Sequence, residues 1–216
     1  MKNPDFSGLK LDEMIEIRNI VNKHALIQVD LYGGIKANIN GKTGLVDHFM
    51  LPNGEKLVLE SEFLTYTSFR SGAYLFLPDG PAKSIDYDRL FKWIRVERGD
   101  TVRQRICTNL TIVLHCIDLM PSIDDAIGHE YPVMNVWNMV DLRSSRNYEL
   151  VMSFNPSIDT NDTLYTDLNG FQYTKRKIYQ KLPIQGNVYP MPSGAFIQDT
   201  KLRMTLLAAQ PSGVSS

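Results

Sequence analysis

Paired carboxylates are the side chains whose chemistry is easiest to name in this sequence. Two carboxyl groups held about 5–5.5 Å apart can serve as nucleophile and acid/base in a double-displacement hydrolysis. Neighbouring aspartates occur at three places, which are Asp86 and Asp88, Asp124 and Asp125, and Asp159 and Asp162. Each pair lies in a polar turn segment, where aspartate usually caps the turn or is solvated. We therefore assign no catalytic residue to this chain.

The histidines do not have metal-binding spacing. There are four of them, at His24, His48, His115 and His129, and no HExxH motif or His-x-Asp pair is present. Zinc sites need three or four convergent ligands, so His48 and its neighbour Asp47 would need distant partners. Phosphate-binding loops, dinucleotide-binding glycine patterns and GxSxG are also absent. The sequence predicts no metal site built wholly from this chain.

Two cysteines, Cys107 and Cys116, are nine positions apart in a segment that reads as one long strand, Gln104 to Ile117. Residues separated by an odd number of positions on one strand point to opposite faces. We therefore expect buried thiols and no mutual disulfide.

Two sequons could accept N-linked glycans. Asn109 and Asn161 each precede a threonine by two positions, whereas Asn155 is followed by proline and is disqualified. Asn109 falls on the polar face of its predicted strand, and Asn161 falls in a polar loop. Both are glycosylation candidates.

Tyr74 is the aromatic residue of greatest interest for ligand contact. It follows Gly72 in a predicted strand, Ala73 to Leu77, that ends in a proline turn. Its phenol could pack in the core or point into a cleft, and the residues alone favour the core. Trp93 and Trp137 lie in strand-like segments, where sheet packing is favoured over a role as a sugar platform.

Composition limits the class of protein. The chain has 216 residues, 23 basic and 24 acidic side chains, and a formal net charge of -1. This balance gives no field that would favour nucleic acid or an anionic membrane. No apolar run approaches the roughly 18 residues of a membrane span. The first ten residues lack the apolar core of a secretory leader, which in a fragment has no bearing on compartment.

Most of the sequence has the alternating pattern of β-strands. A helix is predicted only near Leu9 to Lys23, where β-branched residues make a strand a fair alternative. Asn-Gly turns at Asn53-Gly54 and Asn169-Gly170 each separate two strand-like runs and predict hairpins. Many short strands with turns between them predict an antiparallel β-sandwich, built as one large domain or two small β domains. We divide the chain into a lead-in, 1–24, and a β-sandwich domain, 25–216.

Several blocks in order resemble the C-terminal β region of glycoside hydrolase family 38, the α-mannosidases, and in particular its Golgi mannosidase II type. The resemblance covers roughly Ile17 to Ser216. The matching blocks are Ser71–Pro78, Asn138–Asp141, Tyr165–Gly170, Lys181–Gln185, Asn187–Gly194 and Gln210–Ser216.

The resemblance implies a mainly β, galactose-mutarotase-like supersandwich that belongs to a zinc-dependent retaining α-mannosidase trimming mannose from N-glycans. In that family the zinc ligands and catalytic aspartates lie in an N-terminal α/β barrel, which a helical bundle follows. We therefore expect no zinc and no activity in this chain alone. Tyr74 is similar to a family tyrosine that reaches bound mannose, and so carries a substrate-contact hypothesis. The sandwich is expected to be truncated at its C-terminal end, where an arginine-glycine segment of the pocket rim normally follows.

The family setting implies the Golgi lumen and a parent anchored as a type II membrane protein, although this chain alone does not determine the compartment. Two alternatives remain open at this point. The chain could be a non-catalytic carbohydrate-binding module, which would show a surface cluster of aromatics with Asp or Asn nearby. It could also be a purely structural β module.

Overall fold

The computed structural model describes residues 15–18, 26–31, 34–72, 74–98, 104–124 and 130–215. Within these ranges the regular secondary structure is almost all strand, with one short α-helix, α1 (Tyr87–Leu90), and a short 3-10 helix (Ile184–Asn187). The strands are β1 (Ile15–Arg18), β2 (Leu26–Asp30), β3 (Lys36–Asn40), β4 (Val46–Met50), β5 (Lys56–Thr67), β6 (Lys83–Ser84), β7 (Trp93–Arg98), β8 (Gln104–Asn109), β9 (Val113–Asp124), β10 (Glu130–Val140), β11 (Tyr148–Pro156), β12 (Thr163–Leu168), β13 (Gln172–Lys177), β14 (Tyr189–Met191), β15 (Gly194–Gln198), β16 (Arg203–Leu207) and β17 (Ser212–Val214).

The chain divides into two compact units. Unit 1 comprises Met1–Glu60 and Asp86–Ser144, and unit 2 comprises Ser61–Ile85 and Ser145–Ser216. The division passes through β5, whose first residues pair with β4 in unit 1.

Unit 1 is a sandwich of two antiparallel sheets. One sheet has the strand order β1-β7-β8-β9-β10, and β2, β3, β4 and the start of β5 form the other. Residues two apart in a strand share a face, so the alternating apolar residues of each sheet lie on one side. The two apolar sides pack together in the core. The core cluster comprises Val29, Leu31, Ala37, Ile39, Val46, Phe49, Ile94, Val96, Ile106 and Ile117. The prediction of a mainly β antiparallel sandwich is confirmed.

The prediction of one strand from Gln104 to Ile117 is wrong, because the chain reverses between β8 and β9. Thr111 has a φ of 65°, and the Leu110 amide donates to the Val113 carbonyl at 2.9 Å. Leu110 is fully buried within the turn, so apolar alternation continues through the reversal and hides it. The local signal is Asn109, whose side-chain oxygen accepts from the Thr111 amide at 2.9 Å.

The same reversal corrects the expectation for the cysteines. Cys107 and Cys116 are register partners across β8 and β9, and their sulfurs form a disulfide. Their Cα atoms are 4.1 Å apart, which places the two side chains on the same side of the hairpin. The odd spacing puts residues on opposite faces only if the strand is continuous.

The predicted N-terminal helix is also corrected where the structure describes it. Ile15–Arg18 form a strand that pairs with β7, which agrees with the alternative interpretation. The rest of the segment from Leu9 to Lys23 lies outside the described residues. Among the described residues the one α-helix is α1, which is only four residues long. The Asp86 carboxylate caps α1 by accepting from the Arg89 amide at 3.2 Å.

Unit 2 contains a four-stranded sheet with the order β13-β12-β15-β16 and a two-stranded sheet of β14 and β17. The end of β5 pairs with β6 in this unit, at Leu64 and Thr65. The hairpin predicted at Asn169-Gly170 is confirmed, since both residues have positive φ, 52° and 72°, and join β12 to β13. The hairpin predicted at Asn53-Gly54 joins β4 to β5.

Candidate functional site

Tyr74 lies in a tight loop of unit 2, between β5 and β6. Backbone hydrogen bonds between Gly72 and Leu75, at 3.0 and 3.3 Å, close the loop. The Tyr74 side chain is fully exposed, with a relative accessibility of 101%. The preference for a core position is therefore wrong, since Tyr74 lies in a loop and not in the predicted strand. The phenol is free to contact a ligand.

The base of this loop is held by side-chain hydrogen bonds. The Ser71 hydroxyl accepts from the Leu77 amide at 2.8 Å, and an Asp79 carboxylate oxygen accepts from the Phe69 amide at 3.2 Å. The Phe76 ring packs edge-on against Tyr66, with the ring centroids 5.4 Å apart. These contacts hold the backbone of the loop that carries Tyr74.

Among the paired aspartates, the turn position expected for Asp124 is wrong, because Asp124 is the last residue of β9 and pairs in register with Glu130. Asp86 caps α1, and Asp159 accepts a hydrogen bond from the Asn161 amide at 3.2 Å. Asp162 is exposed and has a positive φ of 57°. Asp125 lies outside the described residues. No pair among these has a geometry that we can assign to catalysis.

Two histidines are described, and both are buried. The His48 ring lies 2.6 Å from the Asp47 carboxylate, and the His115 ring lies 2.8 Å from the side-chain oxygen of Asn138. Burial lowers the pKa of His115, and the hydrogen bond with Asn138 opposes that shift. His24 and His129 lie outside the described residues.

No cluster of three or more His, Cys, Asp or Glu side chains that could hold a metal ion occurs in the described part of the chain. The same ranges contain no helix with the length and apolar character needed to cross a membrane.

Asp167 is a residue whose importance sequence reasoning missed. Its two carboxylate oxygens accept four hydrogen bonds at 2.6–2.9 Å, from the Ser193 hydroxyl and from the backbone amides of Gly170, Ser193 and Gly194. The hydrogen bonds, led by that of the Ser193 hydroxyl, hold the pKa of Asp167 far below its usual range. This carboxylate ties the β12–β13 turn to the start of β15. Only the turn signal Asp167-x-x-Gly170 was readable, because Ser193 is 26 residues away.

An open depression of about 560 Å³ lies in unit 2 beside the loop that joins β11 to β12. Its lining is mostly polar and includes Asn161, Lys175, Gln198 and Asp199. Tyr165 is the aromatic member of the lining, and its ring stacks on Phe196 with centroids 4.4 Å apart and planes 8° apart. The depression thus combines a fixed aromatic ring with hydrogen-bonding groups.

Comparison with known proteins identifies the family. Residues 33–216 match the model of the glycosyl hydrolases family 38 C-terminal domain, so the chain belongs to that family. Alpha-mannosidase 2 of Rattus norvegicus is 41% identical over 162 residues, which is 73% of this chain and 14% of that protein.

Other relatives carry the same name. Alpha-mannosidase 2 of Homo sapiens is 38% identical over 180 residues, covering 81% of this chain and 15% of that protein. Alpha-mannosidase 2 of Arabidopsis thaliana is 30% identical over 233 aligned positions, covering 99% of this chain and 17% of that protein. The resemblance to the Golgi mannosidase II type is confirmed, and the chain spans less than a fifth of the length of these relatives.

Proposed function

We propose that this chain is the C-terminal β-domain portion of a zinc-dependent retaining α-mannosidase that trims mannose from N-glycans. The observation that carries the proposal is the family match over residues 33–216, together with relatives named alpha-mannosidase 2. The described residues offer no zinc ligand set. We assign the metal and both catalytic carboxylates to the barrel of the longer enzyme, which packs with this domain and the helical bundle.

The contribution of this chain is a substrate contact by Tyr74. A phenol can stack on the apolar face of a hexose and exchange one hydrogen bond with a hydroxyl group. Tyr74 is fully exposed, and its loop is closed by the Gly72 and Leu75 hydrogen bonds, so its ring is available to a sugar at the rim of a pocket.

The Golgi lumen is the compartment we propose. The Cys107–Cys116 disulfide supports an oxidising compartment, because such bonds are rare in reducing ones. Protease protection of the natural protein in sealed membrane fractions would test this, and digestion without detergent would refute it.

The substrate contact is tested by kinetics of the longer enzyme on an α-mannoside. Tyr74→Phe removes one hydrogen bond worth about 1 kcal/mol, so KM should rise roughly fivefold. Tyr74→Ala also removes the stacking surface and should raise KM further. Phe69→Ala is the matched control, since Phe69 is 71% exposed in the same segment, and its KM should not change. If all three variants had the same KM as the unchanged enzyme, Tyr74 would not contact the substrate.

The isolated chain should release no mannose and bind no zinc stoichiometrically. Hydrolysis that is lost on mutating an aspartate of this chain would overturn the assignment of catalysis to the barrel. Glycan binding without hydrolysis, abolished by Tyr74→Ala, would instead favour the non-catalytic carbohydrate-binding module.

A further inference from the structure

The two sequons of this chain have different environments in the folded protein. Asn161 is exposed in the loop between β11 and β12, and its φ is 48°. Its backbone is held, since its amide donates to Asp159 at 3.2 Å and its carbonyl accepts from the Thr163 hydroxyl at 3.1 Å. Its side-chain carboxamide makes no hydrogen bond with any described residue. The exposed Asn161 side chain therefore has no described partner that would compete with a glycan for its nitrogen.

The Asn109 sequon is built into the turn between β8 and β9. The Asn109 side-chain oxygen accepts from the Thr111 amide at 2.9 Å, and the Thr111 hydroxyl donates to the Leu90 carbonyl at 2.9 Å. Leu110, the middle residue of this sequon, has an accessibility of 0%. The disulfide between β8 and β9 closes the same hairpin. The buried Leu110 and the disulfide therefore resist the opening of this turn that a transferase would require, and neither feature occurs at the Asn161 sequon.

The depression beside Asn161 has the chemistry to hold a sugar ring. Its volume of about 560 Å³ lies within the roughly 300–1,000 Å³ of small-molecule pockets. Tyr165 gives it an aromatic wall whose orientation is fixed by stacking on Phe196. Lys175 and the Gln198 side-chain amide group add hydrogen-bond donors for hydroxyl and acetamido groups, while the Gln198 side-chain oxygen accepts from Arg203.

We propose that Asn161, and not Asn109, carries an N-linked glycan whose first N-acetylglucosamine lies in this depression. The Asn161 side-chain nitrogen forms a bond to C1 of a lipid-diphosphate-linked oligosaccharide. The C1–phosphate bond breaks, the lipid diphosphate leaves with the bonding electron pair, and the one proton that the nitrogen gives up passes to solvent water. In the natural protein this rests on the proposed lumenal location.

The site is tested by translating the full chain, with an appended secretory leader, in the presence of microsomes. Peptide N-glycosidase digestion in heavy-oxygen water then marks the acceptor as labelled aspartate, which is located by mass spectrometry. We expect label at residue 161, no glycan in Asn161→Gln, and an unchanged glycan in the matched variant Asn109→Gln. Label at residue 109 would overturn the proposal. The proposal would also be overturned if this chain stayed unmodified in microsomes that glycosylate a control glycoprotein.

The seat of the first sugar is tested by the rate of enzymatic deglycosylation. A sugar lying against Tyr165 is shielded from the glycosidase, so release should be several-fold slower from native than from denatured protein. Lys175→Ala should speed release from the native protein without changing occupancy. Equal release rates for native and denatured protein would show that the first sugar is in solvent, and would refute its placement in the depression. Because the leader delivers the chain to the lumen, these results are independent of mannosidase activity and of the natural location.

Discussion

Replacing Gly44 with alanine should destabilise unit 1 through backbone strain and through steric overlap. Gly44 has a φ of +74°, where a Cβ costs about 1–2 kcal/mol. The added Cβ would lie 2.5 Å from Cγ2 of Thr108 and 2.9 Å from Cε2 of Phe91. Thr108 is buried, and its hydroxyl donates to the Gly44 carbonyl, so it cannot withdraw without losing that bond. Overpacking of this kind adds about 1–3 kcal/mol, giving a total of about 2–5 kcal/mol.

Gly54→Ala is the matched control for the steric contribution. Gly54 has a φ of +83°, and a Cβ built there meets no atom within 4 Å. Gly54→Ala should therefore lower the unfolding free energy only through backbone strain, by about 1–2 kcal/mol. Urea unfolding followed by tryptophan fluorescence measures both variants, because the chain's two tryptophans, Trp93 and Trp137, belong to unit 1.

The comparison between the two variants decides the argument. Gly44→Ala should lower the unfolding free energy by about 1–3 kcal/mol more than Gly54→Ala does. Equal losses would show that the core beside Thr108 relaxes freely and would refute the steric argument. A smaller loss for Gly44→Ala than for Gly54→Ala would contradict the packing between this turn and β8.

Replacing both Cys107 and Cys116 with alanine should lower the unfolding free energy of unit 1 by about 2.5 kcal/mol, because the crosslink closes a loop with a separation of 9 residues; an unchanged urea midpoint would contradict this. The side-chain hydrogen bond from Arg143 lowers the pKa of Asp141 from 3.8 to about 2. Its stabilising effect is complete above pH 3.8 and is lost as the pH falls through about 2; NMR titration should show the pKa rising towards 3.8 in Arg143→Gln. Burial lowers the pKa of His115 below 6.5, so unit 1 should lose stability as the pH falls below 6.5, and urea midpoints at pH 7 and pH 5 that agree would argue against a buried neutral ring.

Local signals predicted much of the fold correctly. The Asn-Gly turns could be identified because asparagine and glycine suit the positive φ values found at Asn169, Gly170 and Gly54, independently of tertiary contacts. The sandwich class followed from period-2 alternation, since a strand with one buried face must alternate. The turn after Asn109 escaped this reasoning because Leu110 is buried within it and keeps the alternation intact.

The candidate site was less accessible from sequence. Tyr74 was singled out by family resemblance, whereas the apolar residues around it favoured a core strand. Its exposure depends on the loop hydrogen bonds that Ser71 and Asp79 accept, which the apolar pattern did not reveal. The four hydrogen bonds of Asp167 depend on Ser193, whose distance along the chain gives no local signal.

The sequence by itself determined the family, the β class and the hairpins with Asn-Gly turns, because these depend on motif order and on the conformational preferences of single residues. Tertiary structure alone decided that Cys107 and Cys116 meet, that Tyr74 projects outward, and that Asn161 differs from Asn109. Each of these depends on where the chain reverses and which residues then become neighbours. That outcome is set by packing over the whole unit and not by any short segment.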